Sequence, residues 1–273
     1  MLSIGCGDSL MDRSLTVFIY TDYPSESLNT EVIAERLERV GIRTEIRGGL
    51  FSFLDHTDDG LHRTAELLAA SKIKDIESPL DKIRPPESVE TNSEMRKMSG
   101  LENVRGEFYD GLWIQRILHK ALSEKAPGET GRGFLHMIFT GRLFGTFDMR
   151  RYHARVILAG SPSLISTSGL VEAPARPREY YFIKGGLIRS GRDTEELDRM
   201  YKGRFIGYGD PKTSSILCSY ALQAVNYELT GNEFCDDPEC CLYNSHWQEE
   251  VLRIQYEGNL CEKCVRAFAD IKR

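Results

Sequence analysis

The chain has 273 residues, 41% hydrophobic and 28% charged, with a net charge of −6. This is ordinary globular composition, enough for one large domain or two small ones. No stretch reaches the roughly 18 consecutive apolar residues of a membrane span, so neither a span nor a membrane partner is expected, and the acidic balance disfavours a general nucleic-acid binder.

Residues 1–13 contain Asp8 and Asp12 and little apolar content. They make a poor signal peptide and are expected to form a flexible extension ahead of a single domain at 14–273. Seven cysteines without such a signal point to a reducing, cytoplasmic setting and to metal or thiol use rather than disulfides.

Residues 15–20 are a compact β-rich run. Asn29 and Thr30 then cap a helix in which Ile33, Leu37 and Val40 recur at helical spacing up to Gly41, and Ile42, Thr44 and Ile46 alternate as a strand. This order predicts a βαβ start to a parallel or mixed sheet. A short helix is expected at 60–71, with His56 and His62 solvated nearby. Residues 72–106 are polar, contain Pro79, Pro85 and Pro86 and show no sustained periodicity, which predicts a long connection or insertion. An amphipathic helix resumes at 109–125 through Leu112, Trp113, Ile117, Ala121 and Leu122, leaving His119 exposed.

Short strands are expected at 134–140, 153–159 and 163–167, each bounded by glycine or proline. Residues 140–148 read as a loop or edge segment carrying Arg142, followed by Arg150, Arg151 and Arg155. Pro174 and Pro177 hold an extended backbone that presents Arg176 and Arg178. Clustered arginines suit a cleft for an anionic ligand or peptide, with His153 beside it; a solvated charged face is the other reading. Ser166 and Ser168 lack the G-x-S-x-G turn of a serine hydrolase. Residues 180–183 read as a further strand ended by Gly185 and Gly186, 193–200 as a short helix, and 211–231 as a long helix apolar around most of its circumference.

Five cysteines follow that helix. Cys235 and Cys240 are separated by four residues, Cys261 and Cys264 by two, and a 20-residue spacer joins the pairs. Two such turns can direct four sulfurs at one ion, so 235–264 is expected to hold a structural Zn²⁺ on Cys235, Cys240, Cys261 and Cys264. The adjacent Cys241 leaves open which sulfur of its pair ligates, and Cys218 on the helix is a spare thiol. Four thiolates also suit iron, so an iron–sulfur or thiol protein is an alternative. The segment carries seven acidic and two basic residues, the reverse of a nucleic-acid-binding zinc ribbon.

Residues 224–235 can be set against the archaemetzincin signature H-E-x-x-H-x-x-G-x-x-H-C-x4-C, followed later by C-x-x-C. Gly231 and the four cysteines fall into register, and residues 240–245 resemble the C-x-M-x-x-S that follows the second cysteine. The chain therefore resembles a divergent branch of the archaemetzincin-like metallopeptidases of archaea. That resemblance implies a metzincin-like α/β fold, a mixed sheet with flanking helices and a C-terminal four-cysteine zinc site. The signature's histidines do not appear. Ala224 and Phe234 stand at the first and third ligand positions, Glu228 at the second and Val225 at the general base. Since a zincin needs three ligands and a base, the resemblance implies a proteolytically inactive protein with a binding or scaffolding role. The alternative is a metal-dependent hydrolase whose centre has moved to Arg142, His153, Glu172 and Glu228, with His246 as a further candidate.

Overall fold

The computed structural model describes residues 15–54, 58–81 and 85–269. The expected extension at 1–13 and the expected solvation of His56 lie outside these. The chain opens with β1 (Thr16–Thr21), α1 (Thr30–Arg39) and β2 (Arg43–Gly49), the predicted βαβ unit, and Asn29 caps α1 by accepting from the amides of Glu31 and Val32. Next come α2 (Leu50–Leu54), α3 (Asp58–Ala70), α4 (Ser88–Met98), β3 (Phe108–Asp110) and α5 (Gly111–Lys125). Four strands follow, β4 (Phe134–Thr140), β5 (Leu143–Asp148), β6 (Arg151–Arg155) and β7 (Ile157–Leu158), and then β8 (Ser163–Ser166) and α6 (Thr167–Glu172).

One sheet has the order β2-β1-β4-β8-β7, parallel except for β7 at its edge; β3, β5 and β6 form a second. Side chains alternate across the first sheet with the two-residue strand period. Val17, Ile19, Leu135, Met137 and Phe139 face one core with α1, whereas Phe18, Tyr20 and Ile138 face another with α2, α3 and α5. Both faces are covered, which is why these strands read as nearly continuous apolar runs.

The C-terminal part holds α7 (Arg178–Arg189), α8 (Glu195–Met200), α9 (Thr213–Thr230), α10 (Gln248–Glu250), which passes into a π-helical turn at Val251–Gln255, and α11 (Glu262–Ala269). Helix α9 buries Ile216, Leu217, Ala221, Leu222, Ala224 and Val225 against the same face as α1. Gly231 ends it at φ 76°, a left-handed cap that glycine adopts without strain. Among the described residues, no helix is long and apolar enough to cross a membrane.

Three expectations are corrected. Residues 72–106 are not a bare connection, since α4 lies within them. Residues 140–148 contain strand β5. Residues 180–183 belong to α7, which carries Gly185 and Gly186 in its interior, buries Tyr180 and packs the partly buried Leu187 on the same inner side.

The sheet also holds a buried histidine. His136 is 1% exposed. Its Nδ1 lies 3.0 Å from the Tyr20 hydroxyl and its Nε2 3.0 Å from the Glu129 carbonyl. Both contacts are satisfied when Nε2–H donates to the carbonyl and Tyr20 donates to Nδ1. Burial lowers the imidazole pKa and the Arg47 guanidinium adds to that, against the opposing Glu129 bond. The unfolded chain therefore binds this proton more readily, and stability falls as pH drops below about 6.5. Thermal unfolding followed from about pH 7.5 to about pH 5.5 should show this decline, and His136→Gln should flatten it. An unchanged slope in the variant would assign the decline to other groups.

Candidate metal centre and adjoining cleft

The turn after α9 is fixed by its own side chains. Asn226 Nδ2 donates to the Asn232 carbonyl and Thr230 Oγ1 to the Asn226 carbonyl. This carries the chain to Cys235, whose amide donates to Leu242 O, while Cys240 N donates to Asp237 O and Tyr243 N to Cys240 O. The second pair sits at the start of α11, where Val265 N donates to Cys261 O. Gln255 Nε2 donates to Tyr243 O at 2.8 Å, and the Cys241 amide to Asn259 O, so the two turns are tied together through the π-helical turn.

The sulfurs of Cys235, Cys240, Cys261 and Cys264 all lie within 4.8 Å of one another, and no other group of His, Cys, Asp or Glu among the described residues gathers so as to hold an ion. Cys235 and Cys261 Sγ are 3.7 Å apart. A tetrahedron with Zn–S bonds of about 2.3 Å has sulfur–sulfur edges of about 3.8 Å, so the donor set fits a four-coordinate thiolate ion. Cys235, Cys240 and Cys264 are buried and join the core that Ile216, Leu217, Ala221 and Leu222 of α9 help to form. Cys261 is half-buried and borders a recess with Asp236, Asp237, Glu262 and Lys263.

The arrangement also distinguishes Cys240 from Cys241. The Cys241 thiol donates to the Cys240 sulfur, and the backbone amides of Cys261 and Leu242 do the same; together they outweigh burial and bring Cys240 down to about 5. Cys241 and Cys264 are instead pushed far up, Cys241 first by that same bond and Cys264 first by burial. Cys241 is not among the four gathered sulfurs and meets the group only through Cys240. Cys218 Sγ lies 3.7 Å from the Val32 carbonyl, apart from the centre.

Beside α9 a cleft of about 370 Å³ opens between the β6–β7 edge and the helix, and Ala154–Leu158, Ala173, Pro174, Tyr220, Gln223, Glu233, Phe234 and Asn244–His246 reach it. Arg155 also lines it, its Nε donating to Thr146 Oγ1 at 2.9 Å. Gln223 is 1% exposed; its Nε2 donates to Tyr243 O at 3.3 Å, but its buried Oε1 has no partner, nor does Ser245 Oγ. Burial raises the Glu233 carboxyl, opposed by Arg155.

The arginine-lined cleft expected from the sequence does not assemble. Arg142 is 1% exposed and lies between Asp22 and Glu94, at 2.6 and 2.9 Å. Arg176 stacks on Phe205 and Tyr180, and Arg178 over Trp247. Among the residues of the relocated centre only His246 reaches the cleft. His153 lies on β6 opposite Thr146, Glu172 accepts from the Tyr208 hydroxyl, and Glu228 is exposed on α9. Sequence reasoning missed Gln223, whose signal was an amide set between Leu222 and Ala224 on a buried helix.

Residues 13–271 match the family model described as "Probable metallopeptidase family (DUF6775)". Archaemetzincin from Methanopyrus kandleri is similar in structure at 11% identity and TM-score 0.44, over 96% of this chain and 98% of that one. A zinc-dependent peptidase from Methanocorpusculum labreanum (strain Z) is similar at 11% identity and TM-score 0.45, over 92% and 99%. None of the curated proteins matches the chain.

Proposed function

The chain belongs to the probable metallopeptidase family, and on that footing we propose that it is a non-hydrolytic member which holds a structural Zn²⁺ on Cys235, Cys240, Cys261 and Cys264 and binds peptide in the cleft beside α9. The supporting observation is that the metal-capable residues among those described are four gathered thiols. Four protein ligands close the coordination sphere, leaving no position for the water that a catalytic zinc activates. Bound there, Zn²⁺ would supply cross-linking of the two cysteine turns.

The positions that the archaemetzincin resemblance assigns to catalysis support the same reading. Ala224 and Val225 are fully buried in α9, Glu228 stands alone on its exposed side, and none of the six histidines is spaced as H-E-x-x-H. The family's designation supplies peptide as the ligand class. Gln223 and Ser245 line the cleft, and their Oε1 and Oγ, buried and without a partner in the protein, are the polar atoms that the N–H and carbonyl of an extended peptide would satisfy once these side chains turn toward it. The free thiols suit a reducing, cytoplasmic setting.

The test is turnover of a fluorogenic peptide library with added Zn²⁺, run beside peptide binding. No cleavage is expected, together with binding that Gln223→Leu weakens by about tenfold. A relocated hydrolytic centre has one observation in its favour, the shared position of Glu233 and His246 in the cleft. Chelator-sensitive turnover that persists in Cys261→Ser/Cys264→Ser and disappears in Glu233→Gln, Glu228→Ala or His153→Ala would establish that reading instead.

A further inference from the structure

Helix α7 has two unlike sides. Its inner side contributes Tyr180 and Leu187 to a small cluster with Leu197, Tyr201 and Phe205. Its outer side leaves Phe182 82% exposed, Ile188 61% and Tyr181 51%. The helical repeat arranges this outer side as two neighbouring ridges, Arg178-Phe182-Gly185-Arg189 and Tyr181-Gly185-Ile188, the second pointing toward Arg192 just beyond the helix end. Neither ridge contains an acid. Glu179 lies off them, and Asp193, Glu195 and Glu196 follow the helix. Arg189 and Arg192 are exposed and enter no ion pair with a described residue, and Arg178 is engaged only over the Trp247 ring.

Exposed aromatic and branched side chains set between unpaired arginines, in a chain whose net charge is −6, form a surface that needs an anionic, partly apolar counterpart. We propose that the outer face of α7 docks on an anionic lipid bilayer, with Phe182, Ile188 and Tyr181 entering the acyl boundary and Arg178, Arg189 and Arg192 meeting headgroup phosphates. No α7 residue lines the cleft or the cysteine recess, so this face adds nothing to either site that could take an inserted peptide, and a docked planar interface suits it better. A second copy of the chain would bring the same unpaired arginines against one another, which disfavours self-association. The sequence expectation of no membrane partner rests on the absence of a span, and a helix docked on the surface needs none.

Sedimentation of the full chain with phosphatidylcholine vesicles, with and without phosphatidylserine, tests the assignment. Binding is expected only with phosphatidylserine, reduced by added salt. Phe182→Ser/Ile188→Ser should weaken it by at least about tenfold, and Arg189→Gln/Arg192→Gln should weaken it while leaving any binding to neutral vesicles untouched. These positions are exposed, so an unchanged unfolding midpoint separates lost docking from lost fold. Failure to sediment overturns the proposal, as does binding that both variants retain. A wild-type dimer that Phe182→Ser/Ile188→Ser converts to monomer, without vesicle binding, would reassign the face to self-association.

Discussion

Zinc is expected to co-purify with the protein, and replacing Cys261 and Cys264 together by serine is expected to abolish it and to unfold the C-terminal segment. Four thiolates closing on one ion contribute roughly 10–16 kcal/mol in small zinc modules. A whole domain has a margin of only about 5–15 kcal/mol. The cysteine turns are part of the core formed by α9 rather than an appendage, since Cys235, Cys240, Cys264 and Phe268 pack with Leu217, Ala221 and Leu222. Loss of the ion should therefore lower the unfolding midpoint of the entire chain and expose α11 to limited proteolysis. Cys241→Ser should keep the zinc, because the Cys241 sulfur stands outside the gathered four. Metal analysis of anaerobically purified protein decides the matter. Stoichiometric zinc persisting in Cys261→Ser/Cys264→Ser would sink the assignment, and iron with visible absorbance in the wild type would favour a cluster.

The cysteine centre was legible because its information is local: two short spacings, each confined to one turn, bring their sulfurs together whatever the surrounding fold. The parallel strands were legible for a related reason, as burial on both faces leaves continuous apolar runs such as that in β4. Helix α4 was not legible. Its buried side includes Thr91, Glu94 and Lys97, so the helical period is present but carried by polar residues. Residues 180–183 misled through aromatic strand propensity, which the packing of Tyr180 and Leu187 on one helical side overrides. Arg142 misled most. Its partners Asp22 and Glu94 are 120 and 48 residues distant, and nothing near it in the chain shows that it is enclosed.

That enclosure makes Arg142→Ala the other variant of large effect, with an expected loss of about 3–5 kcal/mol, the range seen when one partner of a buried ion pair is removed. The guanidinium joins the carboxyl end of β4 to the segment after β1 and to α4. Nη1 donates to Asp22 and Nη2 to Glu94, while Asp22 also accepts from Thr140 Oγ1 at 2.5 Å and the Gly141 amide at 3.1 Å. Glu94 is 0% exposed and meets Lys72 and Lys97 at 3.1 and 3.2 Å, with the Tyr109 hydroxyl donating to it at 2.6 Å. Removing the arginine leaves two buried carboxylates short of a counter-charge, a cost that repacking cannot recover.

The same cluster sets an acid limit. Burial alone would raise the Glu94 pKa, but Arg142, the Tyr109 bond and Lys97 outweigh it and bring the carboxyl down to about 2. A depressed carboxylate stabilises the fold fully above its unfolded pKa of about 4.5, and that contribution, roughly 3 kcal/mol here, is lost as pH falls from there through about 2. In Arg142→Ala the Glu94 carboxyl is depressed less, so the fall in stability between about pH 4.5 and about pH 2 should flatten as the gap to its unfolded pKa narrows. Urea denaturation of wild type, Arg142→Ala, Glu94→Gln and the double variant checks both statements. The double variant should be less destabilised than the sum of the singles, since neutralising Glu94 relieves part of what Arg142→Ala leaves exposed to repulsion. A cost below about 1 kcal/mol for Arg142→Ala, accompanied by weakened anion binding, would return this arginine to a ligand-binding role.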